Sequence, residues 1–352
     1  MRLVHRSLAA GVAAIAFGAA TAASASAATI QVFPGGSIQD AVTDAHAGDT
    51  IVVHPGVYRE SVQIKKNNLT LRGAGSGKQG TVIKHRASSK RCGGGGAGIC
   101  IIHHKSGKRR ALTAGTQISG FRIKGFHDAG GLAQGAKNTV FRDNAFVHNA
   151  EYGAAAFSSR GTKFLHNVST GSEVSGFYIG DSPHANAVLR DNLARRNGEF
   201  AFFLRDSSHA VAVHNRAVGN CLGMALVNTG SPGGVHDWSI RHNRVLRNNR
   251  SCPGGGGPPI SGSGIVLLGA THNAIRNNLA KGNRAAGAAV APGGIVVASS
   301  VAFGGSNSAH NVIAHNRAIK NKPADIVWDG KGKGNRFDHN RCHLSQPGGL
   351  CQ

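Results

Sequence analysis

Aromatic residues are scarce in this 352-residue chain: three Tyr, two Trp and 14 Phe, about 5% in all, and they do not alternate with the basic residues. Single-stranded nucleic acids are held on stacked aromatic platforms in cationic grooves, so this scarcity argues against them as partners. Acidic residues are few as well, 16 against 40 Lys and Arg, which leaves a formal net charge of +24 and implies an acidic partner. Dense basic runs are missing beyond residues 105–110, so the charge is spread over the surface. After the first segment no stretch approaches the roughly 18 uninterrupted apolar residues that a membrane span requires. The cysteines show no Cys-x2-Cys or paired Cys/His spacing, which argues against a zinc cluster. Nothing resembles a trimerisation tail, and a monomer is expected.

What is present begins with a basic start (Arg2, His5, Arg6), an apolar run and small residues ending at Ala25, Ser26, Ala27 and Ala28. That is the layout of a secretory signal peptide. Residues 1–28 are therefore expected to be a leader cleaved near Ala27 or Ala28, and residues 29–352 a single secreted, extracellular domain. Six cysteines, an even number in an exported chain, favour disulfides. Proximity suggests Cys92 with Cys100, Cys221 with Cys252, and Cys342 with Cys351. Outside a cell, the available polyanions include polyuronates, sulfated glycans, teichoic acids, lipid head groups and released DNA.

The dominant pattern is a dipeptide ending in Asn, at Asp143-Asn144, His166-Asn167, Asp191-Asn192, His214-Asn215, His242-Asn243, Asn277-Asn278, His315-Asn316 and His339-Asn340. Most steps are about 23 to 28 residues, the signature of a solenoid. Three places before these asparagines stands an apolar residue, as in Phe141, Phe164, Leu189, Ile240, Ile275, Ile313 and Phe337. A second run alternates (Phe177 and Ile179, Phe202 and Leu204, Met224 and Leu226, Ile265 and Leu267, Ile295 and Val297), giving two inward columns. Short β-branched and aromatic strands between Asn, Gly and Ser turns predict an all-β, single-stranded parallel β-helix. Stacked asparagines would hydrogen-bond rung to rung, and Asn tolerates the left-handed turn conformation. The His-Asn pairs read as turn residues rather than metal ligands, because the His varies while the Asn stays. Residues 37–45, with Ser37 and Asp40 as a capping-box variant and Gly48 as a stop, predict a short helix closing the N-terminal end, and the tail after Cys342 would close the other.

Ser-Ile-Gln-Asp-Ala-Val from Ser37, Gly-Asp-Thr-Ile-Val-Val from Gly48, Pro-Gly-Val-Tyr-Arg-Glu-Ser-Val from Pro55 and Leu-Thr-Leu-Arg-Gly-Ala-Gly from Leu69 resemble the entry rungs of the pectin-lyase-like right-handed β-helix superfamily. The resemblance implies a right-handed coil with a short N-terminal capping helix over nearly the whole mature chain. That superfamily holds lyases, epimerases, esterases, hydrolases, phage tailspikes and copper-site maturation factors, so the fold chooses no reaction.

Insertions at residues 230–237, 249–262, 284–292 and 301–308 fall on both edges of the second run, forming walls around its outward face. Tyr178, Phe203 with Arg205, Ala225, Val266, Val296, Ile326 and Trp328 are the outward positions expected there, an apolar face that the loops or a ligand must cover. Beside it a polar column is expected at Ser158, Asp181, Asp206, Asn228, Gly269, Ser299 and Asp329. Two rungs gather titratable groups: Tyr178, Asp181 and His184, then Arg205, Asp206 and His209. Abstracting the C5 proton of a uronate needs a cation against the carboxylate, a base and, for lyase or epimerase outcomes, an acid. Arg205 could neutralise, His184 or His209 could accept the proton, and Tyr178 could supply one. Asp181 and Asp206 could orient a histidine or share a divalent ion such as Ca2+; no other cofactor is indicated. The segment Tyr178-Ile179-Gly180-Asp181-Ser182-Pro183-His184 resembles the mannuronan C5-epimerase signature Tyr-Gly-Phe-Asp-Pro-His, which would make Tyr178, Asp181 and His184 its functional residues. Ser182 is an insertion in that signature, and Arg160 is the nearest counterpart of the family's lysine. The expected function is that of a polyuronate lyase or C5-epimerase acting on an acidic polysaccharide. A non-catalytic glycan- or envelope-binding solenoid is the competing reading.

Overall fold

The computed structural model describes residues 27–86, 89–106, 109–254 and 257–352, so the expected leader lies outside the described residues except for its last two. Each turn of the chain lays down three short strands. One rung runs Val140–Arg142, Ala145–Val147 and Tyr152–Phe157, and the next repeats it as Lys163–Leu165, Val168–Thr170 and Ser175–Ser182. Strands of successive rungs pair in parallel, forming three stacks along one axis. The first and third stacks merge into a 22-stranded sheet, because the strand Phe200–Val213 runs round the corner between them; the second has ten strands. No helix among the described residues is long and apolar enough to cross a membrane.

The interior follows the columns. Phe141, Phe164, Leu189, Ala212, Ile240, Ile275, Ile313 and Phe337 stand in register down the first stack. Phe177, Phe202, Met224, Ile265 and Ile295 do the same in the third, all with no exposed surface. Alternation explains this, since every second residue of a strand points to one face. The last rung departs from expectation: Ile326 and Trp328 pair with inward Ile295 and Val297, so Val327 is the outward residue and Asp329 lies level with Ala298. Spacing from the ladder Asn explains this: Ile326 follows Asn321 by five residues, as inward Ala154 and Phe202 follow Asn149 and Asn197, and Asp325 Oδ1 accepts from N and Nδ2 of Asn321 just before the strand.

The asparagines form the expected ladder. From Asn144 through Asn167, Asn192, Asn215, Asn243, Asn278 and Asn316 to Asn340, each backbone N–H and side-chain amide donates to Oδ1 of the next, at 2.9–3.1 Å. A second ladder links Asn197, Asn220, Asn248, Asn283 and Asn321, and a third, not foreseen from the sequence, links Asn273, Asn311 and Asn335. The left-handed turn residue is the one before each ladder position, not the Asn itself: His166, Asp191, His214, His242 and Asn277 have φ of 54–56°. Asp, Asn and His are the non-glycine types that enter this region most readily, which is why that position varies among them.

Both ends are closed. The helix Ile38–Asp44 is capped by Ser37, whose hydroxyl accepts from Asp40 N, while the carboxylate that receives Ile38 N and Gln39 N is Glu60 of a neighbouring rung rather than Asp40. At the other end Trp328, Phe337, Cys342 and Leu350 pack against the core. Disulfides join Cys92 to Cys100, Cys221 to Cys252 and Cys342 to Cys351.

Candidate functional site

The outward face of the third stack is apolar, and the insertions cover part of it. Ile260 and Ala291, from loops 249–262 and 284–292, bury themselves against Leu222, Ala225, Val266 and Val296, with Cys252 tied to Cys221 at the edge of the stack. Beside them remains a cleft of about 440 Å³ with Phe203, Arg205 and Val227 on its floor, Glu199 and Thr229 at its margins, and Val290 and Phe303 exposed at its lip.

Arg205 is the centre of the polar corner. Its Nη2 donates to Asp181 Oδ1 at 2.9 Å, its Nε lies 3.5 Å from Asp206 Oδ2, and its guanidinium sits 5.8 Å from the Tyr178 ring centre. Rung stacking brings the two carboxylates to this cation, since Gly180 pairs with Arg205 and Ser182 with Ser207. Burial by itself would lower the Arg205 pKa, but the Asp181 hydrogen bond and the neighbouring charges outweigh it and raise it. Asp206 is fully buried and accepts one hydrogen bond on each oxygen: Oδ1 from Thr229 N at 2.8 Å and Oδ2 from Thr229 Oγ1 at 2.5 Å. Asp181 is part exposed. Both aspartates, like Ser158, hold the left-handed turn conformation at the end of the stack. Arg205 thus stands between the carboxylates that the sequence offered to a divalent ion.

Tyr178 joins this corner but is sealed in. Its hydroxyl is buried without a hydrogen-bond partner among the described residues, and burial drives its pKa well above the ordinary tyrosine value, only partly opposed by Arg205. It lies over Gly180, where a Cβ would stand 2.1 Å from the hydroxyl, so only glycine fits there. Tyr152, its ring 5.0 Å away and only half-buried, has a phenol pushed up to about 12 by burial and by the Glu151 charge.

His184 and His209 do not join Arg205. They stack on each other at 5.6 Å on the next corner of the coil, exposed, where His209 Nδ1 lies 3.5 Å and His236 Nδ1 2.7 Å from Asp237 Oδ2. The chain has turned out of the third stack by then, and the extra Ser182, buried with its hydroxyl on Gly180 O, extends the strand before the turn. Ligand atoms of His209, His236 and Asp237 lie within 4.8 Å of one another, as do those of His315, Asp338 and His339, so either set could hold a metal ion.

The sequence reading missed the acids at the opposite edge. Asp128 and Glu151 precede equivalent strand positions, and burial, then the Glu151 charge and hydrogen bond, push the Asp128 carboxyl up to about 6. The recurrence of an acid just before the third-stack strand (Asp128-Ala129, Glu151-Tyr152, Glu199-Phe200) was the available signal. Thr229, the partner of Asp206, carried no sequence signal, because it meets that carboxylate only through stacking of rungs.

A family model described as the right-handed β-helix region matches residues 75–237 and 175–302. No curated protein matches. Among solved structures, DFA-IIIase from Arthrobacter chlorophenolicus A6 in complex with GF2 superposes with a TM-score of 0.60 at 12% identity, over 83% of this chain and 83% of that one. The A-module of mannuronan C-5 epimerase AlgE4 from Azotobacter vinelandii gives 0.56 at 15% identity, over 87% and 91%. That of AlgE6 from the same organism gives 0.53 at 16%, over 86% and 87%. At such identities the likeness is one of fold, and with the family match it carries one conclusion: the chain belongs to the right-handed β-helix family.

Proposed function

We propose that the chain is an exported enzyme that binds an acidic polysaccharide across the third stack and abstracts the C5 proton of a uronate, as a lyase or C5-epimerase. The observation that carries this reading is Arg205, a cation braced by two carboxylates on the floor of a loop-walled cleft. A braced guanidinium offers its free edge to a substrate carboxylate, and neutralising that carboxylate makes the adjacent C–H acidic. Asp206, buried and held by Thr229, is an ion-pair neighbour of the guanidinium, its Oδ2 3.5 Å from an Nε that has no hydrogen-bond partner among the described residues; Asp181, part exposed and hydrogen-bonded to the same cation, is the carboxylate able to accept the proton. Tyr152, protonated at any ordinary pH, takes the donor role that the sequence gave to Tyr178. The net charge of +24 suits a polyanionic substrate, the three disulfides suit an exported chain, and two structural neighbours are mannuronan epimerases by name.

One observation favours a purely binding role: no histidine stands beside Arg205 among the described residues. Alginate, pectate and glycosaminoglycans incubated with the protein separate the readings, followed by absorbance of new C4=C5 bonds and by NMR at C5. Arg205→Gln is expected to cut turnover by at least about 100-fold, the usual cost of losing one preorganised charge, and Asp181→Asn to act likewise. Salt-dependent binding of several polyanions with none altered would mean that the protein binds and does not catalyse.

A further inference from the structure

The second stack carries a cationic face that the cleft does not use. Five consecutive strands, Leu193–Arg195, Arg216–Val218, Arg244–Leu246, Leu279–Lys281 and Arg317–Ile319, have buried central residues, so their flanking residues point outward. Register sets Arg216 beside Arg244, and Arg195 and Lys281 at the same station in their own rungs. Each of the five rungs shows at least one cation, and none of the strands contains an acidic residue. The two preceding rungs, with Ala145 and Val147, then Val168 and Thr170, show none and separate these five from the cations Arg59, Lys84, Arg122 and Lys124 of the earlier rungs.

The turn after these strands adds a second row. Arg196, Gly219, Arg247, Gly282 and Lys320 take equivalent left-handed positions in successive rungs. The alternation with glycine leaves space: a Cβ at Gly219 or Gly282 would meet Cγ of Arg196 or Arg247 at 3.9 and 3.5 Å, so each arginine stem lies along the coil axis above the next glycine. The two rows border adjoining grooves of about 540 and 270 Å³ that share Arg216, Val218 and Arg247. Half-buried Leu193, Val218, Leu246 and Leu279 make the floor. None of the groove cations is ion-paired with a carboxylate among the described residues. Like charges stacked about 4.8 Å apart repel, so an uncompensated row costs stability unless an anion joins it.

We propose that this face is an anchoring site for an anionic polysaccharide lying along the coil axis, distinct from the cleft, with which it shares no lining residue. The rise of about 4.8 Å per rung is close to the length of one sugar unit, so a chain with one acid group per sugar meets a cation at each step. Guanidinium groups pair with carboxylate or sulfate in bidentate fashion, and the aliphatic floor accepts the C–H faces of the rings. A floor without aromatic residues gives bases nothing to stack on, which disfavours single-stranded nucleic acid. The choice of a polysaccharide rests on the proposed function; the cationic groove does not.

The test is binding of fluorescent alginate to the full-length protein across a series of NaCl concentrations, with poly(dT) as competitor. The double variant Arg216→Ser/Arg247→Ser is compared with Arg142→Ser/Arg190→Ser, which removes equal charge from the first stack. The groove variant should weaken alginate binding by about 10-fold or more and flatten the salt dependence, as expected for two lost ionic contacts, while the control changes it little. Equal weakening by both variants, or none by the groove variant, overturns the site; poly(dT) displacing alginate at equal charge overturns the occupant. Arg205→Gln run in parallel keeps the proposals apart, since failure of the chemistry shows as unchanged product formation with binding intact, and failure of the anchor as binding insensitive to Arg216 and Arg247.

Discussion

At the residue scale, two adjacent positions do different work. The ladder Asn is chosen by its amide, which must both donate and accept in a buried column; its predecessor is chosen by its backbone, which must turn left-handed. From the sequence, both demands were assigned to the Asn, because a dipeptide repeat does not say which member bends. Asp128 shows the reverse case, a residue whose chemistry is set entirely by neighbours. Its folded carboxyl keeps its proton to about 6, whereas its ordinary value is 3.8. The folded state therefore binds more protons between these values, and stability falls as pH rises through that window. Asp128→Asn is expected to remove this penalty, stabilising the protein at pH 7 by roughly 1 kcal/mol after allowance for solvent screening. The gain should vanish below about pH 4, as thermal melts of the two proteins across that range would show.

At the scale of the element, the ladders hold the turns at a constant height while loops elsewhere vary, so the insertions could grow without disturbing the coil. One break is visible. Ser172 stands where the second ladder needs an Asn: its N–H donates to Asn197 Oδ1, but it offers no amide oxygen to the rung before, and Asn149 Nδ2 is left buried without a partner among the described residues. Ser172→Asn should complete the column and stabilise the protein by about 1 kcal/mol, the net worth of one buried hydrogen bond. A fall in denaturant midpoint would show instead that Ser169, whose hydroxyl already bonds Asn197 Oδ1 and approaches Ser172, needs the smaller side chain. Loops 249–262 and 284–292 were legible as walls because their lengths depart from the repeat. Which residues they bury was not legible, since a glycine-rich loop carries no periodicity.

At the scale of the whole molecule, a coil in which each rung touches chiefly its neighbours has stability that adds along the axis, and its ends open first. The N-terminal helix draws its cap from Ser37 and Glu60, and the C-terminal end depends on Trp328, Phe337 and the Cys342–Cys351 tail. Replacing Cys342 and Cys351 by Ser should raise amide exchange first in residues 326–346 while rungs around Asn215 and Asn243 stay protected; uniform loss of protection would mean that the chain unfolds as one unit. By itself the sequence determined the coil, most of its inward columns and the ladder, because each is a periodic demand that one residue type satisfies alone; the cysteines could pair in several ways, and the stacking of rungs brought Cys221 to Cys252. Only the tertiary structure decided the chemistry. Arg205 meets Asp181 and Asp206 through the stacking of neighbouring rungs, Asp206 finds Thr229 a rung further on, and the turn that follows carries His184 and His209 round the corner, where His209 reaches Asp237. Those encounters depend on where the backbone bends, and a linear pattern does not hold that angle.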